Sequence, residues 1–181
     1  MSATDRRSAL VVVAREAEPV VREWRLRYQR ESVERGIPSH LTILFPFLPA
    51  GGIGEETLDA LRRLYAAVSP FAYQLATVEA FPDAAFLAPQ PVEPFLDLIA
   101  RTRAAFPDRP PYGDPLHVPV PHCTVGVEDD PLQVEHMLGE LRRRLLPHLP
   151  IQCRAPAVAL LGELLDGSWL PVDAFPFEGR A

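Results

Sequence analysis

Two short strings, His40-Leu41-Thr42-Ile43 and His122-Cys123-Thr124-Val125, constrain this chain more than anything else in it. Each sets an imidazole and a hydroxyl two residues apart inside an apolar run. Side chains on a strand alternate faces, so each His shares a face with its Thr, while Leu41, Ile43, Cys123 and Val125 point the other way. The fold therefore has to accommodate two strands that are apolar on one side and chemically equipped on the other. With five His and six Thr in the chain, one His-x-Thr is weak, and two arise by chance in roughly one sequence in a hundred. Both copies follow a proline-containing approach, Ile37-Pro38-Ser39 and Val120-Pro121, and both open into strand-like sequence.

Two imidazoles and two hydroxyls suit acid/base chemistry on a phosphate. Cleavage of a phosphodiester needs a base for the attacking oxygen and an acid for the leaving oxygen. Two histidines with ordinary pKa values near 6.5 can divide those roles at neutral pH, each contributing about 10²–10⁴-fold. On this reading His40 and His122 are the catalytic pair, with the division of roles between them left open. Thr42 and Thr124 donate to the non-bridging oxygens as charge redistributes. The chemistry requires no metal or other cofactor, and the sequence contains no convincing metal-ligand cluster.

The duplicated motif, its copies about eighty residues apart in a chain of 181, resembles the two-histidine (2H) phosphoesterase superfamily, also known as the 2′-5′ RNA ligase family. The segments Gly36-Ile37-Pro38-Ser39-His40-Leu41-Thr42-Ile43-Leu44-Phe45-Pro46-Phe47-Leu48-Pro49 and Val120-Pro121-His122-Cys123-Thr124-Val125-Gly126 look like a bacterial branch of it. Cys123 departs from the aliphatic residue often found at that position, on the side facing away from the site. The resemblance implies an α+β fold over residues 1–181, one two-lobed domain with antiparallel sheets flanked by helices. Its pseudo-two-fold arrangement places both motifs in a central groove. It also implies hydrolysis of a 2′,3′-cyclic phosphate or a related nucleotide or RNA-end phosphodiester, with reverse 2′-5′ ligation in some members.

Composition narrows the partners. The formal charge is −6, and the densest basic cluster is Arg142-Arg143-Arg144 on a predicted helix. A long nucleic-acid footprint calls for a basic stripe, so the expected partner is a small nucleotide or an RNA end carrying a cyclic phosphate. Protein partners are left open. No run approaches the ~20 apolar residues of a membrane span, and the apolar part of the N-terminus is short for a signal peptide, so a cytoplasmic protein is expected. Cys123 and Cys153 read as reduced, buried side chains.

Hydrophobic periodicity predicts strands at 9–13, 39–48, 71–81, 84–87, 117–127, 157–164 and 169–175. Helices are predicted at 16–30, 55–68, 91–106 and 131–146. Asp166-Gly167-Ser168 reads as a hairpin turn between the last two strands. Residues 107–115, crowded with proline, form a loop.

Substrate-recognition candidates are Tyr112 and Arg109 in that loop, Arg35 before the first motif, and Trp169; Tyr112 leads because a long proline-rich loop makes a natural pocket wall. By parity, Phe45 and Phe47 join Leu41 and Ile43 in the core. His117, five residues before His122, faces the opposite side of a regular strand and reads as a loop or surface residue, and His136 and His148 as solvated. Two rival readings remain: a non-catalytic nucleotide- or RNA-end-binding module using the same groove, and a structural protein whose His-x-Thr pairs satisfy sheet hydrogen bonds.

Overall fold

Strand pairing places the two motifs at matching edges of two separate antiparallel sheets. The computed structural model describes residues 6–179. In chain order the elements are β1 (Ser8–Val13), α1 (Glu18–Tyr28), α2 (Arg30–Glu34), β2 (His40–Leu44), α3 (Glu55–Ala66), β3 (Phe71–Ala80) and β4 (Ala84–Gln90). They continue as α4 (Glu93–Ala105), β5 (Cys123–Val127), α5 (Pro131–Leu145), β6 (Ile151–Ala155), β7 (Ala157–Glu163) and β8 (Trp169–Pro176). One sheet runs β2-β1-β7-β8 and the other β5-β4-β3-β6. Motif strands β2 and β5 thus occupy equivalent edge positions, the pseudo-two-fold α+β arrangement expected from the resemblance. The N-terminal signal-peptide reading rests partly on residues 1–5, which lie outside the described residues. No helix among the described residues is long and apolar enough to cross a membrane.

The helices lock the two halves together. α1, which connects β1 to β2 in the first sheet, packs on β5 of the second. Conversely, α4, which connects β4 to β5, packs on β2 of the first. Each motif strand is therefore backed by the other half's helix. The contact is close: a Cβ on Gly126 would lie 2.5 Å from Met137 Sδ and 2.8 Å from Tyr28 Cβ, so α5 and α1 can approach β5 only over a glycine. One buried apolar cluster runs through both halves, taking Leu10, Val12, Leu41 and Ile43 from the first sheet and Leu87, Cys123 and Val125 from the second.

Several element boundaries differ from the predicted ones. The long first helix is divided at Gln29 (φ −147°) into α1 and α2. β6 has no predicted counterpart, although Ile151-Gln152-Cys153-Arg154-Ala155 alternates strictly between buried and exposed. The second motif strand begins at Cys123 and not at 117. Pro119 and Pro121 remove backbone donors that a ladder would need there.

Candidate active site

The two motifs are built alike. On β2, His40 pairs with Val13 and Thr42 with Val11, so both side chains stand on the sheet face away from the buried Leu41 and Ile43. On β5, Thr124 pairs with Phe86 and the buried Cys123 with Leu87. His122 immediately precedes that strand. The parity read from the sequence holds in both motifs. The halves also touch at this point, where β2 packs beside β5.

Each imidazole is oriented by the carbonyl two residues before it. His40 Nδ1 lies 2.8 Å from the Pro38 oxygen, and His122 Nδ1 lies 2.6 Å from the Val120 oxygen. A carbonyl can only accept, so Nδ1 carries the hydrogen in both rings and Nε2 is left as the atom that gives or takes a proton. The proline-containing approaches thus set the tautomer through their backbone carbonyls.

The environments of the two rings differ. Burial, first of all, pushes His40 down to about 4, against the pull of the Pro38 carbonyl; the charges of Arg25 and His122 lower it further. His122 is also held below the ordinary imidazole value, by burial and then by His117. Its ring packs against a stacked aromatic pair, with Phe81 edge-on at 4.9 Å and Phe86 tilted at 5.4 Å.

Two cavities of unlike chemistry meet at Thr42 and Phe45, which line both. The first, about 500 Å³, is walled by the proline-rich loop and by Phe81, Asp83, Ile99, His117 and His122. The second, about 290 Å³, is walled by Arg7, Glu31, Arg35, Ile37, His40 and Trp169. The recognition candidates divide accordingly. Tyr112 lines the first cavity, and its phenol faces the Thr42 hydroxyl. Arg35 and Trp169 line the second. Arg109 is exposed and lines neither, and Thr124, half-buried beside Phe86, lies outside both linings.

Two placements require correction. Phe45 is not in the main core: a bulge in β2 opposite Leu10 and Val11 brings both Ile43 and Leu44 to the core side. The inserted residue flips the parity and delivers Phe45 to the site face. Phe47 is buried as expected, at 2% exposure. His117 lies in a loop, as read, yet it lines the first cavity with its ring 5.0 Å from that of Tyr112. His136 and His148 are exposed.

Sequence reasoning missed Arg7, Phe81 and Phe86, which reach the site through strand register that no local pattern discloses. It also missed Arg25, 1% exposed in the middle of an amphipathic helix. A charged residue on the apolar stripe of α1, at i+4 from Val21, was the available signal. No three of His, Cys, Asp and Glu among the described residues are grouped to hold a metal ion.

A family model described as the 2′-5′ RNA ligase superfamily matches residues 13–165. A Bacillus pumilus (strain SAFR-032) protein described as "Putative phosphoesterase" is 28% identical over 139 residues, covering 77% of this chain and 79% of that one. Among solved structures, the TT0787 protein of Thermus thermophilus superposes with a TM-score of 0.59 at 19% identity, covering 97% of this chain and 100% of that one. E. coli LigT complexed with 3′-AMP gives 0.58 at 13% identity, covering 95% and 98%. At such identities the structural likenesses carry the fold.

Proposed function

The chain belongs to the 2′-5′ RNA ligase superfamily, and from that premise we propose that it is a metal-independent phosphodiesterase that opens a 2′,3′-cyclic phosphate on a nucleotide or RNA end. A water oxygen attacks phosphorus as one imidazole Nε2 takes its proton. The bond to one ribose oxygen breaks, and the other imidazolium protonates that oxygen, giving a phosphomonoester and a free hydroxyl. Thr42 and Thr124 donate to the non-bridging oxygens. With the 5′-hydroxyl of another end in place of water, the same proton transfers break the bond to the 3′ oxygen, protonate it, and join the ends through a 2′-5′ bond.

The observation that carries this reading is the matched orientation of the two rings. Both Nδ1–H groups are spent on carbonyls, leaving one free Nε2 on each ring, beside threonines of β2 and β5. The depressed His40 is neutral at neutral pH and fits the base in hydrolysis. A bound phosphate anion raises both pKa values, and His122 takes the proton as the acid. That a LigT structure carries 3′-AMP supports a small nucleotide as the ligand class.

The test is incubation of purified protein with 2′,3′-cyclic AMP in excess EDTA, with products identified by ³¹P NMR. A single 2′- or 3′-monoester is expected. Activity only after metal is restored, or no turnover of mononucleotide or oligonucleotide cyclic phosphates, contradicts the proposal.

A further inference from the structure

The proline-rich loop between α4 and β5 is tied to both motifs. Within it Tyr112 takes a left-handed backbone conformation, φ 53° and ψ 21°, the one positive φ outside glycine among the described residues. Its N–H donates at 2.7 Å to the carbonyl of Phe45, which follows Thr42 on the first motif segment. Farther along, Arg103 of α4 donates to the Pro115 carbonyl at 2.9 Å and to the His117 carbonyl at 3.2 Å, and the Val120 carbonyl orients the His122 ring. One segment of the second half is thus docked on the first motif and delivers the second.

A left-handed backbone is unfavourable for a residue with a Cβ and persists only where its surroundings enforce it. What it secures here is the direction of the side chain. The Tyr112 ring meets Phe45 edge-on at 6.1 Å and His117 at 5.0 Å, and its phenol faces Thr42 across the first cavity, whose wall both residues form. Burial holds the phenol above its ordinary pKa against the opposing pull of Thr42, so it carries its proton at neutral pH. A threonine hydroxyl has one hydrogen and turns about its C–O bond to suit its partners. A phenol donating to that oxygen occupies a lone pair and leaves the hydrogen to point elsewhere. Thr42 lines both cavities, with His122 in the wall of one and His40 in the wall of the other. The second motif is built differently, because Thr124 pairs across the sheet with Phe86, whose ring has no hydroxyl.

We infer that Tyr112 is a positioning residue for the reaction: its phenol donates to the Thr42 oxygen and so commits the Thr42 hydrogen to a non-bridging oxygen of the phosphate. The inference rests on the phosphodiester reading for the phosphate that Thr42 meets. It goes beyond that reading by giving Tyr112 a part in the chemistry, acting through Thr42, in place of the substrate-recognition role expected of a pocket wall.

The test is a double-mutant cycle on turnover of 2′,3′-cyclic AMP, with Tyr112→Phe, Thr42→Val and Thr124→Val made singly and in pairs and each variant shown to be folded by its Tm. Tyr112→Phe keeps the ring and removes only the hydroxyl. It is expected to lower kcat about tenfold and to leave KM within about twofold of wild type. It should add nothing in the Thr42→Val background and multiply fully with Thr124→Val, a pattern that a general structural defect does not produce. A wild-type kcat in Tyr112→Phe, a loss confined to KM, or a loss that multiplies with Thr42→Val overturns the inference; in the last case the phenol acts on the substrate directly. The same cycle read on binding of inorganic phosphate separates the two readings. Coupling of Tyr112 with Thr42 in phosphate binding, about threefold, without turnover removes only the catalytic reading. Turnover without coupling removes only the Tyr112 assignment, and absence of both removes both.

Discussion

Arg25 Nη1 donates to the Ser39 hydroxyl at 3.1 Å, one residue before His40. The same guanidinium donates from Nη2 to the Ile37 carbonyl at 2.8 Å and from Nη1 to Glu18 Oε2 at 3.1 Å. Glu18 in turn accepts from the Ser39 backbone N–H at 3.0 Å and from its hydroxyl at 2.6 Å. An ion pair on α1, buried at its Arg25 end and partly exposed at Glu18, thus holds the segment whose Pro38 carbonyl orients the His40 ring.

Arg25 also puts a fixed positive charge near His40, and this lowers its pKa. The other charged groups near that ring are His122 and the paired sets Arg7–Glu163, Arg35–Glu31 and Arg25–Glu18. Arg25→Met removes a buried guanidinium together with its bonds to Ser39, Ile37 and Glu18, so alone it should lower the Tm. The double variant Arg25→Met with Glu18→Gln should recover part of that loss. In the double variant the His40 titration, followed by imidazole NMR, is expected to move up, carrying the acid limb of kcat/KM with it. An unmoved titration would show that Arg25 acts only in folding.

Both motif histidines titrate below the ordinary value when folded, which fixes a sign for stability. Between pH about 6.5, the unfolded imidazole value, and pH about 4, the folded value of His40, the unfolded chain binds a proton that the folded chain does not. Stability is therefore lost as pH falls through that window and is unaffected by His40 above it. Denaturant titrations at pH about 7 and about 4.5, either end of that window, should show a smaller drop for His40→Gln than for wild type. An equal drop would contradict the depressed pKa.

The division of labour between the rings can be tested with a cyclic substrate carrying sulfur in place of the leaving ribose oxygen. A thiolate leaves without help from an acid, so His122→Ala should recover much of its lost rate on this substrate while His40→Ala stays impaired. Rescue of His40→Ala instead would exchange the two roles.

Gly36 has a φ of +82°, and a Cβ there would lie 2.9 Å from the Trp169 carbonyl oxygen. Both the left-handed backbone and the close approach exclude a side chain. Gly36→Ala is expected to cost about 1–3 kcal/mol and to displace the loop that leads into the first motif, so the Tm and the His40-dependent rate should fall together. A variant of unchanged Tm would contradict this packing.

How much of this was legible in the sequence depended on the range of each signal. The facing of His40 with Thr42, and of His122 with Thr124, follows from period-two alternation and was readable from four residues at a time. That the two strands occupy matching sheet edges was not readable this way, and it entered through the family resemblance. Phe45 shows where local parity fails: one extra residue opposite Leu10 and Val11 moved it from the expected core to the site. Arg7 and Glu163 are 156 residues apart, and only the pairing of β1 with β7 brings them together. Tyr112 was legible as a pocket wall because a loop crowded with proline has few places to go; its left-handed φ of 53° was not.

The central claim is that two histidines, acting together and without a metal, carry the chemistry. The most direct measurement compares turnover of 2′,3′-cyclic AMP in excess EDTA by wild type, His40→Ala and His122→Ala, with circular dichroism confirming that each is folded. Wild type should turn over, and each folded variant should lose at least about 10²-fold in kcat/KM. Folded variants that retain wild-type rates would contradict the claim.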